Sequence, residues 1–137
     1  MKFYKKAEKF VKESYKDKFG MVHFKRTVYW IKQLKPDADE ALLIAGIAHD
    51  IERAFRKEGD VQMRRMREYG MTNTKFLNHH QETSAKIIGA FLEKEGTNKE
   101  MINRVKMLIS KHEIGGNEDQ NLLKDADSIS YFENNIN

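Results

Sequence analysis

Apolar positions along this chain recur at helical spacing almost from end to end. Phe3, Ala7, Phe10, Val11 and Ser14 fall on one face of the first segment with lysines around them, which predicts an amphipathic helix that stops near Phe19 and Gly20. A second helix begins at about Met21, carries Val22, Val28, Tyr29, Ile31 and Leu34, and ends before Pro36. Asp37 is placed to cap a third, which runs to about His49 or Asp50. Past Glu52 the pattern breaks up, and a loop with a short helix over about 60–69 fits, closed by Gly70. After the polar segment with Thr72, Asn73 and Thr74, a helix reads from His80 to about Glu95, with Ala85, Ile88, Phe91 and Leu92 on one face and Gly96 as the stop. Another spans about 98–111 through Ile102, Val105, Leu108 and Ile109, and a last one starts near Asn121. No strand signal, repeat or linker interrupts them. The expected fold is all-α, with about six or seven helices in one domain over 1–137.

The third helix stands apart from the others. Eight apolar or small residues, 41–48, run without a break into His49 and Asp50. A helix that is apolar on every side is buried on every side. A carboxylate carried into the interior at its end costs several kcal/mol unless something pairs with it, and a metal ion is one of the few partners strong enough.

Composition narrows the choices for that partner. There is no cysteine, so disulfides, thiolate zinc sites and a cysteine nucleophile are excluded, and any metal is held by nitrogen and oxygen. Charged residues make up 34% of the chain and proline occurs once, which suits a soluble helical protein. No apolar run approaches the ~20 residues of a membrane span, and the lysine-rich start does not read as a signal peptide, so no membrane partner is expected and the cytoplasm is the default location. The net charge of +4 is small, and the lysines near the start of the chain read as a solvated face with no nucleic-acid motif beside them.

The polar residues at the ends of the apolar helices form the candidate site. They are His23, His49, Asp50, His80, His112 and Asp127, and helix ends can converge on one cavity. Neutral imidazoles bind a first-row divalent metal through one ring nitrogen, and an aspartate can bridge two metals with its two oxygens. The six would suffice for a dinuclear centre.

In this order the residues resemble the HD superfamily of metal-dependent phosphohydrolases, over about 21–130. His23-Phe24-Lys25-Arg26-Thr27 looks like the first histidine helix of that family, and the apolar run into His49-Asp50-Ile51-Glu52-Arg53 looks like its defining pair. His80-Gln81-Glu82-Thr83-Ser84-Ala85, Ile109-Ser110-Lys111-His112-Glu113 and Asp125-Ala126-Asp127-Ser128-Ile129 resemble the three later motifs. Four of the five histidines fall on motif positions. His79 is then left outside the ligand set, and Asp125 is the weaker aspartate of its pair, a helix cap. Glu82 and Glu113 each follow a histidine closely enough to orient an imidazole. The chain departs from the family at Glu52, where glycine is common, and at Ser128, where many relatives carry arginine.

The resemblance implies hydrolysis of a phosphate ester of a nucleotide or another small phosphorylated metabolite. His23, His49, Asp50 and Asp127 would hold one metal, and His80 and His112 a second, bridged by Asp50. Manganese, iron, cobalt, nickel, zinc and magnesium all suit such ligands. Arg53 lies where relatives carry a basic residue near the substrate. Arg26, one turn beyond His23, and Lys111, next to His112, are the other basic candidates for the phosphate, whereas Arg56, Arg64, Arg65 and Arg67 read as solvated surface. The same six-ligand set is also known from di-iron oxygenases of the HD fold, and a non-catalytic nucleotide-binding regulatory domain is a third reading. A monomer and a homodimer are both compatible with the sequence.

Overall fold

The computed structural model describes residues 1–16, 20–56 and 74–135. The expected helix over 60–69 and the residues around it, Arg64, Arg65, Arg67 and Gly70 among them, lie outside the described residues, as does Phe19. Among the described residues there are seven helices and no strand: α1 (Lys2–Tyr15), α2 (Met21–Leu34), α3 (Glu40–Ala48), α4 (Glu52–Phe55), α5 (Thr74–Lys94), α6 (Lys99–Ile109) and α7 (Glu118–Asn135). None of these is long and apolar enough to cross a membrane.

The run at 41–48 forms the helix that the others surround. Every residue from Ala41 to Ala48 is buried, and α3 packs against α1, α2, α6 and α7. Gly46 permits one of these approaches, since a Cβ there would lie 2.5 Å from Cδ1 of the fully buried Ile31 on α2. The start of α3 is fixed by Asp39 rather than Asp37. The Asp39 carboxylate accepts the Leu42 N–H at 3.0 Å, as an N-cap does, and Asp37 lies two residues too far out. Glu40 then reaches across to α1, where its carboxylate accepts the N–H groups of Phe3 and Tyr4, both at 3.0 Å. Two of the donors left unpaired at the start of a helix are thereby satisfied from another element.

Several ends and faces differ from the sequence pattern, each for a local reason. The first helix stops at Tyr15, and Lys16, with φ 49°, takes the left-handed position expected of glycine. Gly20 instead opens α2: its φ is +130°, its carbonyl accepts the Phe24 N–H at 2.8 Å, and a Cβ would meet the Phe24 ring at 3.0 Å. On α2 the buried face is Phe24, Thr27, Val28 and Ile31, while Val22, Tyr29 and Leu34 are exposed. Thr27 fits the interior because its hydroxyl donates to the His23 carbonyl of its own helix at 2.9 Å. Arg53, expected to begin a loop, sits with Glu52 in the short helix α4.

The helix expected from His80 begins at Thr74, with Phe76 and His80 one turn apart and both buried. The last helix begins at Glu118, three residues before Asn121. There Asn117 and Gln120 exchange bonds, each side chain accepting the other's backbone N–H at 2.8 Å, which is a reciprocal capping arrangement. Gly96, φ +83°, stops α5 as expected, and Asn98 caps α6 through the Met101 N–H at 2.8 Å.

Candidate metal centre

Four imidazoles meet beside the end of α3, and each is aimed by a partner on its Nδ1. His49 and His112 follow helix ends, and each ring turns back onto the carbonyl three residues earlier. His49 Nδ1 lies 2.8 Å from the Gly46 oxygen and His112 Nδ1 2.7 Å from the Ile109 oxygen. The backbone tightens at the first of these ends, where Ile51 and Arg53 bond three residues back to Ala48 and Asp50. His23, in the first turn of α2, has Nδ1 2.9 Å from the Ser130 hydroxyl of α7. That hydroxyl donates its one proton to the His23 carbonyl, so it can only accept from the ring. His80, on α5, places Nδ1 2.7 Å from the Glu52 carboxylate.

The acceptors behind His23, His49 and His112 put the neutral ring's proton on Nδ1, His80 has a carboxylate on each nitrogen, and all four Nε2 atoms face carboxylates. Asp127 Oδ1 lies 2.8 Å from His23 Nε2 and 3.1 Å from His49 Nε2. Asp50 Oδ1 lies 2.8 Å from His80 Nε2, and Asp50 Oδ2 is 3.4 Å from His49 Nε2. His112 Nε2 is fully buried and has no hydrogen-bond partner, with Asp50 at 3.4 Å and Glu113 at 3.5 Å. Acceptors brought against acceptors in the interior require positive charge between them. Either protons supply it, one per imidazole, or a metal ion does.

The protonated alternative shows how strong that demand is. Burial opposes a charged His80, yet its contacts with Asp50 and Glu52 hold its pKa up at about 9. His112 is likewise held at about 9 against complete burial by the Asp50 and Glu113 carboxylates. Burial also works against the charge of Asp50, and His49, His112, His80 and Arg53 together outweigh it, so this carboxyl is held well below the usual carboxylate range. Asp127 is lowered in the same way by His49 and His23 despite burial. The atoms divide into two groups that could each hold a metal ion, Asp50 with His80, His112 and Glu113, and His23 with His49 and Asp127. Within each group the ligand atoms lie within 4.8 Å of one another.

A cavity of about 410 Å³ opens over both groups, and Asp50, Asp127, Arg53, Arg56, Phe76, Tyr131 and Phe132 are among the residues that line it. Arg53 is exposed at this opening. Arg56, expected as solvated surface, is held inward: its side chain is only 12% exposed, its guanidinium pairs with Glu52 through Nε at 3.0 Å and through a second nitrogen, and it lies 5.6 Å from the Phe76 ring centre. Arg26 is placed elsewhere. It forms a two-point pair with Glu133 and stacks 4.1 Å from the Tyr29 ring centre, so its charge is engaged away from the residues that line the cavity. Lys111 is exposed and does not line the cavity.

The six residues expected at the site are thus brought together, and the other candidates separate. Asp125 and Glu82 are exposed, so Glu82 orients no imidazole. Glu113, expected to orient a ring, instead offers an oxygen to the group around Asp50. Four supporting residues were not singled out from the sequence. The Tyr15 hydroxyl donates to the buried Asp50 carbonyl at 2.6 Å, and Ser84 accepts the Glu52 N–H at 3.1 Å. Gln81 Oε1 accepts the Glu113 N–H at 2.8 Å, which steadies the turn carrying His112. Ser130 is the fourth. Two signals were available for them: Ala7, Val11 and Tyr15 continue one four-residue spacing, and Ser130 lies one turn beyond Asp127 on the same helix.

The chain matches the family described as Domain of unknown function (DUF4202) over residues 6–137. No curated protein and no solved structure matches it.

Proposed function

This chain belongs to the DUF4202 family, and from its buried histidine and carboxylate cluster we propose an HD-type metal-dependent phosphohydrolase that acts on a nucleotide or another small phosphate ester. The observation that carries the reading is the set of four Nε2 atoms gathered around Asp50 and Asp127, with every Nδ1 held by a partner behind it. One or two divalent ions fit this donor set of imidazole nitrogens and carboxylate oxygens. A divalent ion bound there would make water a nucleophile near neutral pH and offset charge on the phosphoryl group.

The residues of the chain supply the rest. Asp50, through its two oxygens, faces both groups of donors and is the proposed bridge. Arg53 at the cavity opening draws in the phosphate and stabilises the charge that develops on its oxygens. With an ion bound, His80 and His112 would serve as neutral ligands, their rings oriented through Nδ1 by Glu52 and by the Ile109 carbonyl. In the net reaction the water oxygen bonds to phosphorus, the ester P–O bond breaks, and the leaving alkoxide takes up a proton.

The test is metal content by elemental analysis, followed by release of phosphate or of the leaving group from a panel of nucleotides and phosphate esters, for wild type and Asp50→Ala. Wild type is expected to retain divalent metal and turn over at least one class of ester, and Asp50→Ala to lose both. A wild type that holds no divalent ion, or an Asp50→Ala protein with full metal and activity, overturns the reading.

A further inference from the structure

The two groups of donors are unequal in their support. We infer that the position formed by Asp50, His80, His112 and Glu113 is the tighter of the two and fills first, and that Glu52 is the positioning residue that makes it so. The inference rests on the metal-dependent reading above and adds an order of loading to it.

Ligand charge is balanced between the two: with Asp50 facing both groups, Glu113 adds one carboxylate on this side and Asp127 one on the other. Burial divides the two more by histidine than by carboxylate: His80 and His112 are 3% and 0% exposed beside Glu113 at 31%, and His23 and Asp127 are 21% and 19% exposed beside His49 at 0%. The fully buried His112 Nε2, without a hydrogen-bond partner, points into this group. An atom so placed gains a partner only when something binds.

Support from behind the ligands differs most. His23, His49 and His112 direct their Nδ1 protons to neutral acceptors, the Ser130 hydroxyl and the Gly46 and Ile109 carbonyls. Only His80 among the four donates to a carboxylate. Glu52 is buried and is itself fixed by the Ser84 bond to its backbone and by the Arg56 pair. A carboxylate behind a ligating imidazole fixes the ring and makes Nε2 a stronger donor.

Calorimetric titration of the metal-stripped full chain with Co²⁺ alone, with the visible Co²⁺ spectrum recorded alongside, tests the order. Glu52→Gln keeps an acceptor oxygen but removes the charge, and is expected to weaken the tighter event by about 10–100-fold while leaving the weaker one in place. Glu113→Gln weakens the same event, and Asp127→Asn removes the weaker one alone. The event that is not targeted reports in each variant that the fold is intact. If a single event is seen, its response to Glu52→Gln and not to Asp127→Asn supports the inference. Loss of the tighter or sole event in Asp127→Asn, or an unmoved affinity in Glu52→Gln, overturns it while metal binding itself stands. No Co²⁺ binding by wild type overturns the metal-dependent reading and this order together.

Discussion

Asp50 is held at two levels, and the less visible one is its backbone. Its side chain answers to His80, His49 and His112, while its carbonyl is fixed by the Tyr15 hydroxyl from α1 at 2.6 Å. Burial pushes the Tyr15 phenol far up, with the Asp50 charge adding to it, so the hydroxyl keeps its proton and remains a donor through any ordinary pH. Tyr15→Phe removes that donor, fills the same space, and leaves a buried carbonyl unpaired. A destabilisation of about 1–3 kcal/mol is expected, read as a lower urea midpoint with an unchanged slope, and an unchanged midpoint would show that the bond contributes nothing. The six candidate ligands were legible in the sequence because imidazole and carboxylate next to apolar runs are chemically out of place. Tyr15 and Glu52 were not. A tyrosine on an apolar stripe and a glutamate one turn from an arginine, Glu52 and Arg56, are each fully explained by local packing, and only the long-range partners, Asp50 and His80, give them a role at the site.

At the scale of elements, close approach does what propensity cannot. Gly46 lets Ile31 lie on the backbone of α3, and the methyl group introduced by Gly46→Ala would lie 2.5 Å from its terminal carbon. Ile31 is fully buried and has little room to turn aside. The gain in helix propensity from alanine, about 1 kcal/mol, is therefore outweighed by overpacking of about 1–3 kcal/mol. The variant is expected to melt below wild type, and a melting temperature above wild type would mean that α2 yields more readily than its packing suggests. The number and order of the described helices followed from hydrophobic spacing, whereas ends and faces followed from side-chain bonds that spacing does not encode. Asp39 rather than Asp37 caps α3 because it alone sits beside the first turn. Asn117 and Gln120 carry a capping pattern three residues apart that placed the start of α7 in plain view, and the apolar count from Leu122 onwards masked it. On α2 the spacing of Val22 and Tyr29 is as helical as that of Phe24 and Ile31, and no pattern along one helix says which stripe its neighbours will cover.

For the molecule as a whole, the centre joins helices that are distant in sequence, so filling it should couple to global stability. Metal at 100 times its Kd adds about 2.7 kcal/mol if the unfolded chain does not bind it. The pH dependence has a definite sign. In metal-free protein His80 and His112 are held at about 9, above the ~6.5 of an unfolded histidine. Their contribution is fully present below about pH 6.5 and is lost as pH rises through about 9. Metal requires the deprotonated rings, so its contribution grows over the same range. The gap in melting temperature between metal-loaded and chelator-treated protein is expected to widen from pH 6 to pH 9 in scanning calorimetry. A gap that narrows over this range would place the bound ion away from these histidines.

The turns of His49 and His112 onto the carbonyls three residues before them have a consequence for engineering. Each of these rings takes its aim from its own chain segment, whereas His23 borrows Ser130 from α7 and His80 borrows Glu52 from α4. A short cassette, a buried helical turn followed by a histidine, therefore carries a preset ligand direction that could be transplanted to another helix end. The His23 and His80 halves are not portable in this way, since moving either ring would mean moving a second helix with it.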